Sequence, residues 1–260
     1  MTILFYKYQG TGNDFILTDN RDGRYSNLTT TEIKNLCDRK FGIGADGFML
    51  LNKHESFDFE MKYYNSDGNE STMCGNGGRC IVQFAKDLGL IENTCSFWAI
   101  DGKHNASVLS NNWIQLGMKD VFEISEYNGK PVLDTGSPHI VVLHDDTPAL
   151  DVFTMGSEIR NSPTFSANGI NVNFVKRTGE NAIFVRTFER GVEDETLSCG
   201  TGVTAAALSF KNHDLGHHII QVETLGGSLS VGFIKETGNS FKNIFLSGPA
   251  TLVFTGEMTI

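Results

Sequence analysis

Short apolar runs dominate the chain: Ile3–Tyr8, Phe15–Thr18, Gly47–Leu51, Phe57–Tyr64, Ile140–Leu143, Val172–Lys176, Ala182–Thr187, Ile219–Glu223 and Ala250–Phe254. They are rich in β-branched and aromatic residues and bounded by Gly, Asn or Asp, which predicts strands. Helical spacing is rarer. Across Thr29–Phe41 the apolar Ile33, Leu36, Cys37 and Phe41 fall on one face, behind threonines able to cap a helix. Ile81, Phe84, Ala85 and Leu88, and again Val203, Ala206, Ala207 and Phe210, stand at i, i+3, i+4, i+7, so each set predicts one buried helical stripe. With 28 Gly against 5 Pro marking many tight turns, the pattern predicts an α+β protein built mostly from antiparallel sheet.

The two stripes belong to a repeat. Asp67-Gly-Asn-Glu-Ser-Thr-Met-Cys-Gly-Asn-Gly77 is similar to Glu193-Asp-Glu-Thr-Leu-Ser-Cys-Gly-Thr-Gly202, which pairs Cys74 with Cys199 at an offset of 125. Glu70 and Glu195, Gly75 and Gly200, Gly77 and Gly202, and Gly102 and Gly227 pair at the same offset. Asn13-Asp-Phe-Ile-Leu and Pro138-His-Ile-Val-Val align as a polar turn feeding a strand. Two pseudo-symmetric halves follow, each a mostly antiparallel sheet around a central helix. The first, residues 1–118, carries Cys74 and the second, 119–260, carries Cys199; a last strand near 248–260 has the option of returning to the first half. Facing halves of this kind predict an active site in the cleft between them.

Charge and cysteine usage narrow the function. Lys and Arg number 21 against 31 Asp and Glu, a net charge of −10. Nucleic-acid and anionic-membrane partners are disfavoured, whereas a small zwitterion is not. No apolar run reaches the ~18–20 residues of a membrane span, and the N-terminus lacks a signal-peptide pattern, so a cytoplasmic protein is expected. Five cysteines without a Cys-x-x-Cys pair argue for thiols and against structural zinc.

Gly42-Ile-Gly-Ala-Asp-Gly47 spells the dinucleotide-binding string, but a helix precedes it and a strand follows. That order is the reverse of what nucleotide binding needs, and a helix-to-strand turn is the better reading. The two Cys-Gly-x-Gly segments weigh more. A thiol at a helix N-terminus has its thiolate stabilised by unpaired N–H groups and the helix dipole. The same N–H groups can hold a carboxylate. Cys37, Cys80 and Cys95 lack that context and are expected in the core. Two thiols in matching settings, with no histidine cluster beside them and His217 and His218 in a polar stretch between a helix and a strand, point to proton transfer at both faces of one carbon. One thiolate removes a proton, and the other thiol returns one to the opposite face.

Gly10-Thr-Gly-Asn-Asp-Phe15, Asn65-Ser-Asp-Gly68, Met73-Cys-Gly-Asn-Gly-Gly-Arg-Cys80, Ser137-Pro-His139, Asn171, Glu189-Arg-Gly191 and Glu195-Thr-Leu-Ser-Cys-Gly-Thr-Gly202 together resemble, in order, the motifs of the diaminopimelate epimerase family. The resemblance runs from residue 3 to about residue 254. It implies a cofactor-independent epimerase that interconverts LL- and meso-diaminopimelate in lysine and peptidoglycan-precursor biosynthesis. It further implies Cys74 and Cys199 as the acid–base pair, with Cys199 the base from LL to meso. His139 and Glu189 would tune the thiols. Asn13, Asn65, Asn171, Glu189 and Arg190 would bind the substrate's charged groups, and backbone N–H groups at Gly75, Asn76, Gly200 and Thr201 would bind the carboxylate at the reacting carbon. A homodimer is also in keeping with the resemblance.

Three positions depart from the family pattern. Ser137 stands where many members have Asn, Gly47 where some have Gln, and Phe254 where some carry an interface Tyr. Two other functions fit the residues less well. A proline-racemase-like enzyme typically has His where this chain has Asn76, and a non-catalytic amino-acid-binding module would not need both thiols.

Overall fold

A computed structural model describes residues 1–260, which divide into two compact units. The first comprises Met1–Leu116 and Gly248–Ile260, the second Gly117–Ser247.

In the first unit the chain runs β1 (Thr2–Gly10), β2 (Asn13–Asp19), α1 (Thr30–Cys37), β3 (Gly47–Asn52), β4 (Phe59–Asn65), β5 (Glu70–Ser71), α2 (Gly75–Asp87), β6 (Thr94–Ala99), β7 (Gly102–Val108) and β8 (Ile114–Gly117). β1 and β2 form a hairpin, β2 lies parallel to β3, and β4 pairs antiparallel with β3 and β5 but parallel with β6. β6, β7 and β8 follow as a meander. The chain's last strand, β18 (Thr251–Thr259), returns to this unit and covers the free edge of β1. Parallel pairs cannot be closed by a tight turn, so α1 occupies the crossover from β2 to β3, and α2, after β5, the one from β4 to β6.

The second unit repeats that order. It consists of β9 (Ser125–Tyr127), β10 (Lys130–Asp134), β11 (Pro138–Leu143), α3 (Val152–Arg160), β12 (Asn171–Gly179), β13 (Ala182–Glu189), β14 (Asp194–Thr196), α4 (Gly200–Phe210), β15 (Gly216–Thr224), β16 (Gly227–Lys235) and β17 (Phe241–Gly248). β11 is parallel to β12 and β13 to β15, and the remaining pairs are antiparallel. Strand register makes the repeat residue-specific and corrects the alignment of Asn13 with Pro138 by one residue, since Phe15 faces Gly47 in the first unit as His139 faces Asn171 in the second, an offset of 124. Met49 faces Tyr63 as Asn173 faces Thr187.

Several sequence expectations need correction. α1 starts with a capping box between Thr29 and Glu32 but stops at Cys37, because the Asp38 carboxylate accepts the N–H groups of Lys40 and Phe41 and turns the chain. Phe41 is therefore 86% exposed instead of completing the buried face. α2 and α4 bury far more than a stripe. Every residue from Gly75 to Val82, and from Gly202 to Leu208, is buried, as befits a helix enclosed by sheet on all sides. His217 and His218 lie within β15, not before it. The glycine string at 42–47 is a helix-to-strand turn: Gly42 passes so near the Asn35 carbonyl that no Cβ fits, and Gly44 has φ +81°.

α3 lies on β13 with Gly156 over Phe188, where an added Cβ would come within 2.3 Å of the Phe188 Cβ. Replacing glycine by alanine in a helix normally stabilises by about 1 kcal/mol. Here Gly156→Ala is expected to destabilise the protein by ~1–3 kcal/mol through overpacking, read as a lowered urea midpoint; an unchanged or raised midpoint contradicts this packing.

Candidate active site

Both central helices begin one residue after a cysteine. Cys74 is the N-cap of α2 and Cys199 the N-cap of α4, each in extended conformation, and neither side chain caps its own helix. Each thiol thus sits at the positive end of a helix, where negative charge is stabilised. The other cysteines differ. Burial pushes the thiols of Cys37, Cys80 and Cys95 up to about 12, keeping them protonated and inert.

In the first unit, the two-residue turn between β1 and β2 places Thr11 and Gly12 at φ 50° and 85°. A positive φ is costly for a β-branched residue, and Thr11 is held by its hydroxyl, which accepts from the Arg79 guanidinium at 3.1 Å. Asn13 follows directly. Its Oδ1 lies 3.8 Å from Cys74 Sγ and accepts from Asn76 Nδ2 at 3.4 Å, while its Nδ2 donates to Asp46. Asp46 is fixed by Arg39, which also makes a bidentate pair with Asp14, and Lys7 closes the network onto Asp14. Asn13, Gly75 and Asn76 thus gather at Cys74. Asn65 is exposed at the end of β4, opposite Gly47.

Arg79 is a residue that motif reading passed over. It is fully buried on α2 and donates only to neutral acceptors: Gly75 O, Thr11 Oγ1, Asn76 Oδ1 and Pro249 O. Burial lowers its guanidinium to about 10, and the charges of Cys80 and Cys74 act in the opposite direction. The repeat puts Thr204 at the same step of α4, where its hydroxyl donates to Gly200 O as Arg79 does to Gly75 O.

In the second unit the matching turn carries Thr135, whose hydroxyl donates to Thr201 O at 2.8 Å. Cys199 Sγ is 3.5 Å from Thr201 Oγ1, which in turn is 2.9 Å from His139 Nε2. His139 Nδ1 meets Asn173 Nδ2 at 3.1 Å, and Asn173 Oδ1 accepts from Thr187 Oγ1 at 3.0 Å. His139, Gly200 and Thr201 therefore gather at Cys199. Asn171 donates to Ser137 Oγ and Pro138 O and accepts from the Arg190 N–H, so it ties three strand ends together. The Arg190 guanidinium reaches Asn168 O and Ser137 Oγ. Ser137 is thereby placed among the expected binding residues. Glu189 accepts from the Thr196 hydroxyl. No motif marks Asn173 or Thr187, although a polar residue inside the apolar run Ile170–Val175 is a visible signal in the sequence.

Residues 5–121 and 132–253 match the diaminopimelate epimerase family. The chain belongs to that family. It is 51% identical to the diaminopimelate epimerase of Flavobacterium psychrophilum over 98% of this chain and 99% of that protein. Identity to the diaminopimelate epimerase of Chlorobaculum tepidum is 42%, over 96% and 99% of the two chains. Among solved structures, a PhzF-family phenazine biosynthesis protein of Bacillus anthracis superposes with a TM-score of 0.79 at 16% identity over all of both chains. A hydroxyproline epimerase of Agrobacterium vitis superposes with a TM-score of 0.68 at 14% identity, over 98% and 92%. Those two establish the fold. As a diaminopimelate epimerase family member the chain is an isomerase acting on a small molecule, and no helix is long and apolar enough to cross a membrane.

His139 is fully buried, and burial, aided by the Arg190 charge, lowers its imidazole to about 3. Unfolded histidine titrates near 6.5. Below that pH the unfolded chain binds a proton that the folded one refuses, so the stability present above about pH 6.5 is lost as pH falls toward 3. His139→Phe, which installs the residue found at the equivalent Phe15, is expected to flatten the fall of the thermal midpoint between about pH 6.5 and 4. An equally steep fall in the variant would assign the acid sensitivity elsewhere.

Proposed function

We propose that this chain interconverts LL- and meso-2,6-diaminopimelate by two-base proton transfer without a cofactor, in lysine and peptidoglycan-precursor biosynthesis in the cytoplasm. The observation that carries this reading is the pair of cysteines at the N-caps of two equivalent, enclosed helices. From LL to meso, the Cys199 thiolate takes the proton on the α-carbon. The electron pair left behind spreads into the carboxylate, and the Cys74 thiol gives its proton to the opposite face. Cys199 is then a thiol and Cys74 a thiolate, which is the starting state for the reverse reaction.

An amino-acid α-proton is weakly acidic, so the carbanion needs support. The N–H groups at Gly75, Asn76, Gly200 and Thr201 are the donors assigned to the carboxylate, where charge grows in the transition state. Asn13, Asn65, Asn171, Glu189 and Arg190 are assigned to the ammonium groups and the distal carboxylate. For Asn171 the role is indirect, since both ends of its amide are already engaged by Ser137, Pro138 and Arg190. His139 and Glu189 tune the thiols. The domains divide the work: the first half carries Cys74 and the second Cys199. A homodimer completes the reading, supported by the exposed run Leu252, Val253 and Phe254 on β18.

The test is α-proton exchange in D₂O, followed by NMR on reduced, pyridoxal-free protein offered LL-diaminopimelate and, separately, L-proline. Deuterium is expected to enter diaminopimelate as the meso isomer forms, and Cys74→Ala and Cys199→Ala are each expected to slow this by ~10²–10⁴-fold. Exchange with proline alone would move the chain to a proline-racemase-like activity. Exchange with neither would leave an amino-acid-binding module.

A further inference from the structure

The chain of side chains behind Cys199 has a direction, and the direction is fixed by a group that cannot donate. The Ile140 carbonyl accepts from Asn173 Nδ2 at 3.2 Å. A carbonyl only accepts, so the amide must present its NH₂ there and its oxygen to Thr187, whose hydroxyl donates to it at 3.0 Å. The second hydrogen of the same NH₂ points at His139 Nδ1, 3.1 Å away. Nδ1 is then an acceptor, and the single proton of the neutral imidazole lies on Nε2, facing Thr201 Oγ1 at 2.9 Å. With one lone pair of that hydroxyl taken by His139, its proton is left for Cys199 Sγ at 3.5 Å.

We propose that Asn173, backed by Thr187, is a positioning residue that holds His139 in the Nε2–H form, so that the Thr201 hydroxyl donates to the Cys199 thiolate. His139 in this arrangement does not take the Cys199 proton; it orients a donor toward the sulfur. The proposal rests on Cys199 being a reacting thiol, as in the function proposed above.

Three further observations support it. The fold does not require polar groups where His139 and Asn173 stand: the equivalent positions of the first unit hold Phe15 and Met49, with Tyr63 where the second unit holds Thr187. Both trios are buried. Buried polar groups cost stability relative to apolar ones unless fully paired, so the polar trio has a reason beyond packing. Gly202 leaves room for the chain, because a Cβ there would lie 2.4 Å from Asn173 Oδ1 and 3.3 Å from Thr187 Oγ1. Burial lowers His139 to about 3, so the ring stays neutral and keeps one donor and one acceptor nitrogen.

Two measurements test the chain without any substrate. In ¹⁵N-histidine-labelled protein, the His139 resonances are expected to report a protonated Nε2 and a bare Nδ1, and Asn173→Asp is expected to move the proton to Nδ1. In a Cys74→Ser background at one fixed neutral pH, iodoacetamide alkylation of Cys199 reports its thiolate. Thr201→Val is expected to slow it roughly 10- to 100-fold, the worth of a hydrogen bond to a charged group, while Thr201→Ser is expected to preserve the rate. A proton on Nδ1 or an imidazolium in the unsubstituted protein would overturn the proposal, and so would unchanged alkylation in Thr201→Val. If both readouts behave as expected but deuterium never enters diaminopimelate, the chain stands and the substrate assignment falls.

Discussion

A helix enclosed by sheet on every side has a difficult beginning. Its first N–H groups have no partner within the helix, and burial removes the water that would otherwise satisfy them. α2 and α4 both meet this constraint with a cysteine at the N-cap that offers its own helix no side-chain hydrogen bond. A serine, threonine or aspartate there would satisfy the backbone and strengthen the helix. Cysteine gives up that stabilisation and leaves a field suited to an anion at the sulfur. Apolar burial of the rest of each helix carries the loss: Ile81, Phe84 and Ala85 on α2, and Val203 through Leu208 on α4, are all buried.

Equal topology does not make the two thiols chemically equal. Behind Cys74 stand a buried guanidinium and an asparagine, Arg79 and Asn13, and the strands beneath are closed by Phe15 and Met49. Behind Cys199 the buried charge is absent at the matching helix step, where Thr204 stands, and the strands carry His139 and Asn173. One thiol is served by a formal positive charge and the other by a string of neutral dipoles. In the proposed reaction the two sulfurs exchange roles each turnover, and two routes to a similar end suit substrates that differ in handedness at the carbon between forward and reverse reactions.

The repeat was legible in the sequence because cysteine and glycine are rare enough at fixed spacing for an offset of 125 to stand out. The nine strand runs emerged from their β-branched and aromatic content and the turn residues that bound them, and the two central helices from their period. What period could not show follows from tertiary context. Phe41 falls on the right face of α1, but the Asp38 carboxylate ends that helix first. Thr94–Ala99 and Gly102–Val108 mix Thr, Ser, His and Asn into their strands, with no apolar run to mark them. Asn173 and Arg79 lie in segments whose periodicity assigns them to the interior, and only the hydrogen bonds formed in three dimensions explain why a polar side chain is tolerated there.

The Cys-Gly-x-Gly motif itself illustrates what a motif does and does not encode. Its second glycine has one job in both units, to let the first helical turn approach the strand beneath. Gly77 meets the Met49 methyl at 2.6 Å from its would-be Cβ, and Gly202 meets the Asn173 amide oxygen at 2.4 Å. The glycine is thus a record of packing distance, indifferent to whether the strand presents a thioether or an amide. The chemistry that separates the two halves is written in the strand, at a position with no glycine, cysteine or motif to announce it, and it becomes readable only once register sets Asn173 against Met49. Internal symmetry therefore serves as a control within one molecule: at Gly77 and Gly202 the halves agree because both answer the same packing distance, and at Met49 and Asn173 they part, where the fold alone does not set the choice.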